Sequence, residues 1–247
     1  MNNIKVLFLK ELMVIRNSYL KYIFILFFFP LSLYLLLSIP LSIIVDNIKP
    51  IYMIWSSVGI WHTTSLYLIY ILNISFCLKI FNTGIIKAAP IQSYQYLLSM
   101  YLYCIFIGTI QLIVSIILVS SLNSDYLSFL SLFQIYIMTF PAFIIISSVS
   151  YLLTRAIKKD FSISISNVFV LLFISFGFGS FIPLSKFPES YYNIVQYFPI
   201  SSTIINCQKI ISNESIHFNL LFISFFYAII FSLVSLLKID KSINSKK

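Results

Sequence analysis

The sequence predicts an all-α integral membrane protein with six transmembrane helices. Three observations lead there: a composition that cannot cover a water-facing surface, six continuous apolar runs, and a lopsided placement of Lys and Arg. The chain has 247 residues, 60% hydrophobic and only 9% charged, with a mean hydropathy of +1.00. A soluble domain carries roughly 25% charged residues. The length suits one domain, residues 1–247, holding six spans of ~20 residues each.

The runs are Ile23–Val45, Met53–Cys77, Met100–Ser120, Leu127–Leu153, Ile163–Ile182 and Leu220–Leu237. Each is long enough to cross the ~30 Å hydrocarbon core as a helix. They are continuously apolar, whereas barrel strands would alternate. Orientation follows from the basic residues. Lys5, Lys10, Arg16 and Lys21 precede the first run; Lys79 and Lys87 follow the second. Arg155, Lys158 and Lys159 follow the fourth, and Lys238, Lys241, Lys246 and Lys247 follow the sixth. Only Lys49, Lys186 and Lys209 fall on the other side. Cytoplasmic loops carry the excess of Lys and Arg, so both termini are expected in the cytoplasm of a multi-pass plasma-membrane protein. The net charge of +9 is explained by these loops and needs no nucleic acid partner.

Residues 1–22 mix charge with apolar positions. Ile4, Leu7, Phe8, Leu12 and Ile15 share one helical face. An interfacial helix on the cytoplasmic surface is predicted, with no cleavable signal. Its four cations are spread along it, unlike a short basic head before an apolar core.

The acidic residues Glu11, Asp46, Asp125, Asp160, Glu189, Glu214 and Asp240 all lie outside the six runs, as do all sixteen basic ones. An ion-coupled carrier needs an ionisable or broken-helix ion site within the membrane. A hydrolase needs a nucleophile with a base, or a cluster of His and acids. The two histidines are His62 and His217; His62 is read as a neutral, hydrogen-bonded structural residue over a substrate contact. Cys77, Cys104 and Cys207 are scattered, which supports neither a disulfide framework nor a metal site. No GxxxxGK[ST] occurs, so the chain cannot split ATP through a P-loop of its own.

Two interruptions carry information. KIFNTGIIKAAPIQSYQYLLSM (Lys79–Met100) breaks at Asn82-Thr83-Gly84, continues through Ile85, Ile86 and Lys87, and stops at Pro90-Ile91. Proline disfavours α geometry in the residue before it, so a short helix ends there. It is read as a force-transmitting element or as an ordinary loop. The second is FGFGSFIPLSKFPESYYNIVQYFP (Phe176–Pro199). Gly177 and Gly179 permit a kink or a close approach, Pro183 breaks the helix, and Tyr191, Ile194, Val195 and Phe198 recur at helical spacing. The pieces from 183 to 212 are too short to span. Either they dip into the outer leaflet and return, or they form a surface loop with an aromatic belt.

In this order the chain resembles the permease subunit of type-2 ABC transporters, the drug- and polysaccharide-exporter class. The matching positions are Gly179, Phe181, Ile182, Pro183, Leu184, Pro188, Tyr197, Phe198 and Pro199 in the outer stretch, and Pro90-Ile91 in the inner one. The acidic residue that the family often places after Gly-Thr has no counterpart at Asn82-Thr83-Gly84. The resemblance implies a re-entrant helical hairpin between spans five and six, carrying Gly177, Phe181, Tyr191 and Tyr197. It also implies an ATPase-coupling segment at Asn82, Thr83, Gly84, Ile85, Ile86, Lys87, Pro90 and Ile91. The implied partners are a cytosolic ABC ATPase, a second permease copy or a related permease, and membrane lipid. ATP and Mg would be held by the ATPase, with no cofactor in this chain. The implied activity is export of a hydrophobic or amphipathic cargo: a drug, an antimicrobial peptide or a lipid. The readings left beside it are a glycan exporter, an energy-independent channel or structural protein, and a polytopic enzyme.

Overall fold

In the computed structural model, which describes residues 2–45, 51–83, 92–123, 127–157 and 160–244, every regular element is a helix. In chain order they are α1 (Asn2–Asn17), α2 (Tyr19–Ile44), α3 (Tyr52–Thr83), α4 (Ser93–Asn123), α5 (Phe129–Ala156) and α6 (Asp160–Leu172). There follow two short helices, α7 (Glu189–Val195) and α8 (Pro199–Ile211), and the last, α9 (Phe218–Asn244). Among the described residues, four stretches are long and apolar enough to cross a membrane: Tyr19–Ile44, Ser93–Asn123, Phe129–Ala156 and Phe218–Asp240.

The other two expected spans differ, for separate reasons. Met53–Cys77 lies within α3, whose first half carries Ser56, Ser57, His62, Thr63, Thr64 and Ser65, all buried. These side chains lower its hydropathy while its neighbours shield them on every side. Ile163–Ile182 is shorter as a helix than as an apolar run. Its helical part, Ser162–Gly177, closes in a π-helical turn at Phe173–Gly177 before the chain breaks.

α3 is the central helix, packed on α4, α5 and α8. Val58, Ile60, Leu66 and Tyr70 are each 0% exposed, and every residue from Trp55 to Leu66 is buried. By contrast, α9 bears an exposed stripe of Phe222, Phe226, Ile229, Leu233 and Leu237. A stripe of that length facing outward suits an apolar solvent.

Proline shapes α2. Pro30 lacks an N–H, which leaves the Leu26 carbonyl four residues back without its helical partner. Gln111 Nε2 of α4 donates to that carbonyl at 3.2 Å. Such rescue is what permits proline within a membrane helix. Further along, Pro40 would clash with the Leu36 carbonyl, and the helix widens into a π turn at Tyr34–Ser38. The end of α5 near Phe129 is closed by Ser128, whose hydroxyl accepts from the Ser131 N–H at 3.1 Å.

The expected amphipathic helix at the N-terminus forms, with one correction. Leu7 is buried, and Phe8 and Ile15 pack on the core, but Glu11 sits between them at 2% exposure. Steps of four residues put Leu7, Glu11 and Ile15 on one stripe, so this acid points into the protein instead of lying at the surface.

Candidate functional site

The interruption at Phe176–Pro199 has a definite place. After the π turn, the segment from Phe178 to Pro183 crosses α3 at Gly59. A Cβ built on Gly59 would lie 2.1 Å from the Ser180 carbonyl oxygen. Glycine alone allows that approach. Around the crossing, Tyr52 OH donates to the Phe181 carbonyl at 2.5 Å, and Ser180 Oγ to the Ile174 carbonyl at 2.5 Å. Gln208 Nε2 of α8 donates to the Gly179 carbonyl at 3.1 Å. Gly179 has φ +83°, the left-handed region, with Leu184 packed against it. Phe181 is fully buried.

The prolines take positions that their fixed φ suits. Pro183 precedes a short 3₁₀ turn, Leu184–Lys186; Pro188 precedes α7, and Pro199 opens α8. Tyr191 OH donates to the Gly177 carbonyl at 2.7 Å, and the rings of Phe178 and Phe198 lie 6.1 Å apart. Tyr197 is exposed.

α8 runs antiparallel to α5. Near its end, Cys207 approaches the Ile135 carbonyl at 3.9 Å and Thr139 Oγ1 at 3.8 Å. Its first residues, Pro199 and Ile200, share a cavity of about 400 Å³ with Ile145 and Val149. Those lie ten residues further along α5, ~15 Å at 1.5 Å per residue. The cavity is apolar and partly aromatic, closed on another side by Tyr227 and Phe231 of α9. α8 itself is packed through small polar side chains. Ser202 and Ser224 of α9 share a hydrogen bond, and Asn206 Oδ1 accepts from the His217 N–H at 3.0 Å.

Polar pairs also tie the core. The hydroxyls of Thr64 and Ser115 are 2.8 Å apart. Asn73 Nδ2 donates to the Ser147 carbonyl at 2.7 Å and to Ser150 Oγ at 2.5 Å. His62 is fully buried, with Nδ1 3.0 Å from the Val58 carbonyl and Nε2 3.3 Å from Thr139 Oγ1. Both ring nitrogens therefore have partners inside the protein, the arrangement of a structural histidine. Cys77, Cys104 and Cys207 are buried and free of disulfides.

At the Thr83 end of α3 a second cluster forms. Phe76 stacks on Tyr96 and Tyr103 of α4, with centroids 5.6 and 6.0 Å away. Tyr96 meets Tyr151 of α5 edge-on, and Arg155 Nη1 donates to the Lys238 carbonyl of α9 at 2.5 Å. Glu11 Oε2 of α1 lies 3.7 Å from Lys79 Nζ. Five helices thus meet at one end. Asn82 and Thr83 close α3. Gly84, Ile85, Ile86, Lys87, Pro90 and Ile91 lie outside the described residues.

The Glu11–Lys79 pair is asymmetric: the Lys79 side chain is 42% exposed and that of Glu11 3%, with Glu11 Oε1 lacking a hydrogen-bond partner among the described residues. Lys79→Met is expected to destabilise the protein more than Glu11→Leu, by about 2 kcal/mol against about 1 kcal/mol or less, because only the first leaves a buried carboxylate uncompensated. Thermal unfolding of both variants in detergent checks the order.

The sequence pointed to the interruption at Phe176–Pro199 but not to Gly59 beneath it, nor to Glu11. Gly59 carries no local signal, because the carbonyl it accommodates is about 120 residues away in the chain. Compared with protein-family models, curated proteins and solved structures, the chain has no match in any of the three.

Proposed function

We propose that this chain is the six-span permease subunit of an ATP-driven exporter of the type-2 ABC class. α3 and α6, the latter extended by its π turn, would join the four more apolar helices as spans, with both termini cytoplasmic. The observation that carries the reading is α8. It is too short to span, yet its first residues share a cavity with Ile145 and Val149 of α5, and the Pro199 carbonyl accepts from Ser224 Oγ, six residues and ~9 Å into α9. A helix that starts deep and returns, bounded by Pro183, Pro188 and Pro199, supports a re-entrant hairpin that narrows the outer end of a pathway. Irregular backbone at that depth is tolerated where protein buries it, and Ser180 and Phe181 are both 0% exposed.

The five-helix cluster supports a coupling role for the segment from Asn82 to Ile91. A cytosolic ATPase pressing on that segment would move α3 and α4 together, because Phe76, Tyr96 and Tyr103 lock their ends. The pathway wall would be apolar and aromatic, with Ser, Thr and Asn supplying hydrogen bonds, which would suit a hydrophobic or amphipathic cargo.

The test is a mild-detergent pull-down of the tagged chain, followed by an ATPase assay on what accompanies it. A co-purifying P-loop subunit with vanadate-sensitive hydrolysis is the expected result. A clean preparation without a nucleotide-binding partner would overturn the reading.

A further inference from the structure

A groove of about 430 Å³ runs between α2 and α3. It begins at Lys21 and Ser75 and ends at Ser32 and Tyr67, where the ring of Phe29 lies 5.8 Å from that of Tyr67. From Lys21 to Ser32 the helix rises ~16 Å. That is about half of the ~30 Å hydrocarbon core, the depth of one leaflet. The walls are apolar, and the Phe28 ring stands 54% exposed at the edge. A single cation marks the mouth. The Lys21 ammonium is exposed and forms no ion pair or hydrogen bond among the described residues.

We propose that this groove holds one acyl chain of an anionic phospholipid, with the headgroup phosphate on the Lys21 ammonium. Shape selects the chain. An extended hydrocarbon chain fits along the groove's ~16 Å length and reaches the depth of one leaflet. Charge selects the headgroup. Apolar contacts alone give no preference over bulk lipid, because lipid tails are as apolar as the groove walls. Discrimination therefore falls to the cation, and a basic residue near the surface attracts anionic lipid. The groove opens to the cytoplasmic leaflet if Tyr19–Ile44 spans with Lys21 inside, and in that respect the inference rests on the topology proposed above.

The test titrates the full-length chain in detergent with phosphatidylglycerol or phosphatidylcholine and counts bound lipid by native mass spectrometry. Phosphatidylglycerol is expected to bind about fivefold tighter, the effect of one surface cation. Lys21→Gln should abolish that preference, and Leu72→Trp, which fills the groove, should weaken both lipids. Lys209→Gln, at the opposite end of the molecule, should change nothing. Wild-type selectivity in Lys21→Gln, or wild-type lipid binding in Leu72→Trp, overturns the proposal. So does Leu72→Trp weakening self-association while lipid binding persists, which would assign the groove to a second copy of the chain. The readout needs neither an ATPase nor transport, so its failure and that of the exporter reading are separate results.

Discussion

Gly59→Ala is expected to lower stability by about 3 kcal/mol or more, at the upper end of overpacking effects. The new methyl would meet three backbone atoms of Ser180, at 2.1, 2.6 and 3.2 Å. None can yield easily. The loop is fixed from both sides by Tyr52 OH on the Phe181 carbonyl and by Gln208 on the Gly179 carbonyl. Within it, the Phe181 N–H donates to the Ser175 carbonyl at 3.2 Å. Gly108→Ala is the matched control. Its methyl would meet side-chain atoms only, Ile69 Cδ1 at 2.4 Å, Ile69 Cγ1 at 3.1 Å and Phe143 Cζ at 3.2 Å, so a smaller loss, of about 1–2 kcal/mol, is expected. Thermal unfolding in detergent, with the yield of monodisperse protein, reads both variants. Equal behaviour of the two would overturn the close approach of the loop to Gly59.

The second large effect is expected at the opposite end of α3. Phe76 is 1% exposed and stacks on two tyrosines. Phe76→Ala opens a cavity there, and such truncations typically cost 3–5 kcal/mol; two aromatic contacts are lost with it. Phe76→Leu retains most of the volume and should cost less than half as much. Under the exporter reading the variants separate stability from coupling. Phe76→Leu should leave ATP hydrolysis by the complex near normal and reduce transport several-fold, because α3 and α4 no longer move as one body. Reconstituted vesicles, assayed for both activities, measure the ratio. A Phe76→Leu protein with an unchanged ratio would remove this cluster from force transmission.

The helical class, the long apolar stretches and the prolines that bound the interruption were legible in the sequence, because each is written in contiguous residues. Pro183, Pro188 and Pro199 announce turns wherever they stand. What escaped detection depends on contacts between distant parts of the chain. Gln111 reads as one polar residue in an apolar run, and its role appears only beside Leu26, whose carbonyl Pro30 leaves free. Glu11 resembles any surface acid until the step from Leu7 to Ile15 is seen to run against the core. The expected fifth span overshot for a local reason. An apolar composition continues to Ile182, but the π turn and the left-handed Gly179 end the helix at Gly177. Hydropathy registers side chains and is blind to that backbone change.

The polarity of α3 has a consequence for biogenesis. Its Ser, Thr and His side chains are harmless once neighbouring helices enclose them, yet at the moment of synthesis there is no enclosure. A nascent chain ending shortly after Thr83 presents α2, which can partition into lipid unaided, followed by a helix that gains far less from doing so. If α3 is a span, it would have to be retained at the insertion site until α4 emerges, since α4 supplies the partners for Thr64 and for the ring of Phe76. Under the six-span reading the pair would enter the bilayer as a hairpin, and the order of synthesis would be built into where the chain put its hydroxyl groups.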